Sequence, residues 1–157
     1  MKKLTIFFFL IVHLITYSQK TILFDDKGVI FPKDCDCYLF DNLKRFTPTS
    51  DEVTELEISL NENIEIINTN KFKPLIHKNL NNYNRQYIGF FNDKGEKIIY
   101  INFLWRENEN QPFFNKNKED KWKTVCQYIS DGGSYYWNIK YNLTNKTFFD
   151  FRVNTLG

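Results

Sequence analysis

The sequence predicts an α+β domain: one main helix packed on a four-stranded antiparallel sheet, preceded by a small N-terminal hairpin. Three observations carry this. A capped, amphipathic stretch occupies Ser50 to Ile67. The second half alternates apolar and polar residues between turn sequences at Asn92–Gly95, Asp131–Gly133 and Asn142–Lys146. Two short apolar runs near the start flank Asp25-Asp26-Lys27-Gly28.

Those two runs, Thr21 to Phe24 and Val29 to Phe31, form the hairpin, with the Asp-Asp-Lys-Gly turn between them. Pro32 to Thr49 is less regular, with a short strand expected at Cys37 to Phe40. The helix starts at Pro48-Thr49-Ser50-Asp51-Glu52, where Thr49 caps and Glu52, three residues on, closes a capping box. Asp51, Glu52 and Glu55 sit favourably near the positive end of the helix dipole. Val53, Leu56, Leu60, Ile64 and Ile67 recur at spacings of three and four and make one apolar stripe; Glu57, Asn61 and Glu65 face elsewhere. A shorter helical or irregular stretch is expected from Pro74 to Tyr83.

Arg85 to Phe91 is a strand, ended by the hairpin turn Asn92-Asp93-Lys94-Gly95. Along Glu96 to Trp105, Ile99, Ile101, Phe103 and Trp105 share one face. Arg106 to Lys121 is polar, contains Pro112 and reads as a long loop; Trp122 to Ser130 reads as the next strand. Asp131-Gly132-Gly133 supplies the positive φ of a tight turn. Tyr135, Trp137, Ile139 and Tyr141 line one face of the strand that follows, and Phe149, Phe151 and Val153 one face of the last. A helix with one stripe to bury, covered by a four-stranded meander, is the plan of cystatin-like and NTF2-like folds. The analogy is one of fold, and such folds host many functions.

Residues 1–18 read as a cleavable secretory signal. Lys2 and Lys3 form a positive start, Leu4 to Ile15 is apolar but for Thr5 and His13, and small Ser18 suits the residue before a cleavage point. The apolar run of about 12 residues falls short of the roughly 20 that a membrane-spanning helix needs. No cysteine lies near the boundary to carry a lipid, so residues 19–157 are expected as a single exported domain without a membrane anchor, periplasmic or secreted.

The whole chain has a net charge of +2, but the expected cleavage removes Lys2 and Lys3 and leaves 19 basic against 19 acidic residues. A near-neutral domain without a basic cluster argues against nucleic-acid binding. There is no alanine, while Asn, Lys, Ile, Phe and Tyr abound. All five have AT-rich codons, so coding bias accounts for their number without a binding role.

Export permits disulfides. Cys35 and Cys37 point the same way on an extended chain and pair poorly with each other, so a bridge from Cys35 or Cys37 to Cys126 is the expected one. It would close a loop of roughly 90 residues and contribute about 4 kcal/mol. Cys-Asp-Cys alone is too small a set for zinc, which takes about four ligands.

Catalytic, metal and cofactor motifs do not stand out. His77 is the single histidine left after cleavage; the cysteines lack the local patterning of thiol hydrolases, and a Gly-x-Ser-x-Gly elbow is missing. Asp131-Gly132-Gly133 offers one of the several oxygen ligands that calcium needs. Glu107 and Glu109, like Glu119-Asp120, sit in polar sequence. Gln86-Tyr87-Ile88-Gly89 invites comparison with the Gln-x-Val-x-Gly hairpin of cystatin protease inhibitors, but its glycine comes one residue early, which in a strand changes face. Tyr100, Tyr136 and Phe148 each oppose the inner face of their strand and are expected to form an outward aromatic patch.

The second half also carries Arg85-Gln86-Tyr87-Ile88-Gly89, Gly95-Glu96-Lys97, Ile101-Asn102-Phe103, Asp131-Gly132-Gly133-Ser134-Tyr135-Tyr136-Trp137, Lys140-Tyr141-Asn142-Leu143 and Val153-Asn154. In these it resembles a group of uncharacterised small exported proteins from Bacteroidetes, from about Ser50 to the C-terminus; the tail Val-Asn-Thr-Leu-Gly departs from that group's Val-Asn-Gly ending. The resemblance implies export and fold, and no activity. The sequence reading is therefore a non-catalytic binding or interaction module, its partner an envelope or extracellular protein or a glycan. The alternatives are a small NTF2-like enzyme with its pocket between helix and sheet, and a cystatin-like protease inhibitor.

Overall fold

A computed structural model describes residues 21–68, 73–106 and 121–155. The signal reading at 1–18 and nearly all of the polar stretch 106–121 lie outside them. The fold is α+β, with one main helix and a mixed sheet.

The strands are β1 (Thr21–Leu23), β2 (Gly28–Phe31), β3 (Arg45–Phe46), β4 (Tyr83–Phe91), β5 (Lys97–Trp105), β6 (Tyr136–Asn142) and β7 (Thr147–Val153). Six lie in the order β1-β2-β4-β5-β6-β7, and β3 joins β4 off this path. β1 and β2 form the N-terminal hairpin. It is no appendage: β2 runs parallel to β4, pairing Gly28 with Arg85 and Phe31 with Ile88. Parallel neighbours need a long crossover, and the chain from Pro32 to Asn82, with the helix α1 (Ser50–Ile67), supplies it. β3 continues along the same edge of β4, pairing Phe46 with Gly89. The expected four-stranded antiparallel sheet is thus enlarged and mixed.

The start of α1 follows from its capping box. The Thr49 side chain accepts from Glu52 N at 3.2 Å, and the Glu52 carboxylate accepts from Thr49 N at 2.9 Å. Val53, Leu56, Leu60 and Ile64 are buried against the sheet, each worth roughly 1.5–3 kcal/mol in removed apolar surface. They meet Tyr87, Ile101, Phe103, Trp137 and Ile139 in the helix-side core. Glu57 does not face outward; it turns onto the sheet beside the stripe and is buried.

The other face of the sheet is covered too. A second core holds Val29, Phe31, Phe40, Ile88, Trp122, Cys37 and Cys126. The cap over it consists of the segments around Tyr38–Phe40 and after the short helix α2 (Lys121–Thr124). Cys37 and Cys126 are joined by a disulfide with Cα atoms 5.3 Å apart, and Cys35 is a free thiol. The strand expected at Cys37–Phe40 is a 3-10 turn, and the one expected at Trp122–Ser130 is α2 followed by irregular chain. Covered on both sides, β4 is buried from Tyr83 to Phe90, as strands inside two-sided sheets are.

β7 does not alternate as expected. Asp150 takes a left-handed backbone, φ 53°, and the register with β6 shifts between Asn138 and Lys140. The extra residue of this bulge reverses the alternation. Phe148 packs inward on Tyr141, while Phe149 is exposed. Tyr135 likewise ends a 3-10 turn and is exposed, rather than sharing the inner face with Trp137.

Candidate functional site

Three residues of the helix side combine charge and burial. Glu57, on α1, pairs with Arg85 Nε at 3.2 Å and accepts from the Tyr87 hydroxyl at 2.8 Å. Arg85 spends its other nitrogens on the carbonyls of Tyr83 and Leu80, at 3.1 and 3.0 Å. Burial outweighs the Arg85 charge and the Tyr87 hydrogen bond, and holds the Glu57 carboxyl above its usual 4.5. Glu57 and Arg85 also border a cleft of about 340 Å³ with Phe24, Lys27, Asn61 and Asn81. Deeper in, Leu56, Leu60 and Trp137 are fully excluded from solvent and Phe151 packs on them, so apolar side chains fill the space between helix and sheet.

The far face is partly open. Side chains there form rows across the strands, because paired positions point the same way. One row runs Val29, Gln86, Asn102, Asn138, Arg152. Its inner half is spent on the cap. The Gln86 amide donates to the carbonyls of Trp122 and Val125, at 2.6 and 2.7 Å, and its oxygen accepts from Gln127 N and from Asn102. The outer half emerges from under the cap. The Asn138 side chain has no hydrogen-bond partner among the described residues, and the Arg152 guanidinium meets Asp150, at 2.7 Å.

This outer half floors a cleft of about 480 Å³ together with Tyr100, Lys140 and Asp150. The edge of the cap, at Phe40, Tyr128 and Ile129, makes one wall, and Asn154 closes the end. The Tyr100 ring is held by Phe40, with centroids 5.1 Å apart. Tyr128, on the wall, meets Tyr38 edge to face at 6.0 Å. Partial burial works upward on Asp150, but hydrogen bonds from Lys140 and Arg152 win and hold its carboxyl below the ordinary value.

Of the expected aromatic patch, only Tyr100 enters the cleft. Tyr136 lies on the same face but packs against the far-side core, over Gly132, where a Cβ would meet its ring at 2.6 Å. Phe148 is on the helix side. His77 sits in the turn Ile76–Lys78, with Nδ1 buried and unpartnered among the described residues, and borders neither cleft. Gln86 to Gly89 lie in the interior of β4. Among the described residues no group of three or more His, Cys, Asp or Glu is placed to hold a metal ion, and no helix is long and apolar enough to cross a membrane.

Sequence reasoning missed Asn102, Asn138 and Arg152. A signal for two of them was present: each asparagine stands between large apolar residues of an alternating strand, at an outward position in mid-sheet. No family model matches the chain, and no curated protein or solved structure matches it.

Proposed function

We propose that the chain is an exported, non-catalytic binding module whose ligand surface is the far-face cleft. One observation carries this: the helix-side interior is packed solid, whereas the far face of β5 to β7 stays open over polar side chains with hydrogen-bonding capacity unspent. Ligand pockets are concavities with a few converging polar groups. The Cys37–Cys126 disulfide supports an oxidising compartment, in line with the signal sequence.

The test is capture from envelope and culture-medium fractions on immobilised protein, wild type beside Asn138→Trp, which fills the cleft, and Tyr128→Ala, which opens its wall. Species retained by the wild type and lost from both variants support the reading. Retention indifferent to both sinks it.

A second reading, an enzyme acting at the helix–sheet edge, is favoured by Glu57, a buried carboxyl of raised pKa bordering a cleft. Against it, Glu57 is engaged by Arg85 and Tyr87, which serves to dock the helix. A turnover screen on the same fractions, abolished by Glu57→Gln in a folded variant, would support the enzyme.

A further inference from the structure

We propose that the far-face cleft is a saccharide site and that its ligand carries a carboxylate, as uronic-acid oligosaccharides do. This rests on the reading of the far face as the binding surface.

The first observation is Tyr100. It is 9% exposed and lines the cleft, yet its hydroxyl has no hydrogen-bond partner among the described residues. A hydroxyl that faces the cleft without a protein partner is open to a ligand hydroxyl. Burial, aided by Tyr128, pushes the phenol upward, so it stays a neutral donor and acceptor at any physiological pH. The second is the amide row. Asn138 offers both a donor and an acceptor on the neighbouring strand, and Asn102, whose NH2 group donates to Gln86 and Gln127, keeps its oxygen. Side chains that both donate and accept suit sugar hydroxyls, which do the same.

The third is the rim. Tyr128, 59% exposed, lines the cleft, and Tyr38, 57% exposed, packs on it edge to face from outside the lining. Rigid, amphipathic rings cover the C–H face of a sugar at low entropic cost. The fourth is charge. Lys140 and Arg152 outnumber Asp150 in the cleft, leaving one net positive charge. Asp150 engages Arg152 through Nε alone, at 2.7 Å, so the two terminal nitrogens remain for a carboxylate.

A peptide fits less well. Of the floor strands, β5 and β6 are paired on both edges, so an extended chain could add only along the outer edge of β7, beside the cleft and not across its floor. The volume, about 480 Å³, lies in the small-ligand range.

The experiment is calorimetric titration with oligogalacturonate, alginate and glucuronan fragments, each beside its neutral methyl ester. At least one acid should bind, its ester about tenfold more weakly, and Arg152→Gln should erase that preference. Tyr100→Phe should weaken binding several-fold with unchanged melting temperature, since it removes only the hydroxyl. No binding of any acid, or equal binding of acid and ester, overturns the proposal. In that event, captured species still lost on Asn138→Trp and Tyr128→Ala leave the binding module standing with another occupant: a neutral saccharide where acid and ester bind equally, a peptide where neither binds. Capture indifferent to both variants fells both readings.

Discussion

The Tyr87 hydroxyl donates to Glu57 Oε1 at 2.8 Å, so the helix and the central strand are locked together by a polar contact inside an otherwise apolar core. Arg85, at 3.2 Å from the same oxygen, supplies the compensating charge. Removing one partner of a buried pair leaves the other charge stranded, at about 3–5 kcal/mol. Arg85→Met should therefore destabilise by that order at pH 7, read as a lower urea midpoint.

The sign of its pH dependence follows from Glu57. The folded carboxyl titrates above 4.5, its unfolded value. Its proton-linked contribution to stability is present in full below pH 4.5 and lost as pH rises through the folded pKa. In Arg85→Met the stranded carboxylate can escape by protonating, so the cost should shrink between pH 7 and pH 4. In Glu57→Gln the contribution disappears, and the stability gap between wild type and variant should change over the same window. An Arg85→Met penalty equal at both pH values would contradict the assignment.

Gln86 ties the cap to the sheet. It is fully buried, and its amide serves Trp122, Val125, Gln127 and Asn102. Gln86→Leu should cost about 3 kcal/mol, from cap groups left without partners at about 1–3 kcal/mol each. Gln86→Glu should cost more at neutral pH despite its matching shape, because it turns a buried carboxylate toward two carbonyl oxygens. Urea midpoints that rank the two variants in the opposite order would show that Gln86 is not the clamp.

The disulfide fastens the same cap covalently. Thiol titration of the unfolded, unreduced protein should count one thiol, that of Cys35, and three after reduction. With the bonded cysteines 89 positions apart in the sequence, Cys126→Ser should lose about 4 kcal/mol. Cys35→Ser should lose little. The cleft wall at Tyr128 should loosen with it, seen as faster amide exchange after residue 126.

What the sequence reveals is local. The capping box at Thr49 and Glu52, the stripe from Val53 to Ile64 and the turns at Asn92–Gly95 and Asn142–Lys146 involve neighbours in the chain, and each stands as read. Pairings across long separations leave no such mark. β2 lies parallel to a strand more than fifty residues away, and the polar Asn84-Arg85-Gln86 gave no hint of a two-sided buried strand, because their partners Glu57 and Trp122 are distant. Phe148 lies on the opposite face from the one alternation predicts for a narrower reason: the residue that breaks the alternation is Asp150, where no glycine signals a left-handed backbone. In the cleft, Tyr100 was legible from alternation, whereas the row Asn102, Asn138, Arg152 appears only once strand register is known.

Gly89 tests the register of the strand added beyond β2. It faces Phe46 in β3, and a Cβ built there would sit 2.6 Å from the Phe46 carbonyl oxygen and 2.9 Å from its ring. The ring could swing aside, but the carbonyl is backbone and is held by the β3–β4 pairing. Gly89→Ala must therefore push β3 away from β4, at about 1–3 kcal/mol for overpacking. The displacement should reach Arg45, whose guanidinium Nε donates to the Gly89 carbonyl at 3.2 Å and whose Nη2 donates to Pro32 O at 3.3 Å. Amide exchange should accordingly quicken around Arg45 and Phe46 while Gly28–Phe31, on the same edge of β4, stays protected. Uniform exchange along both segments would mean that β2 and β3 move as one unit and that Gly89 does not set their register.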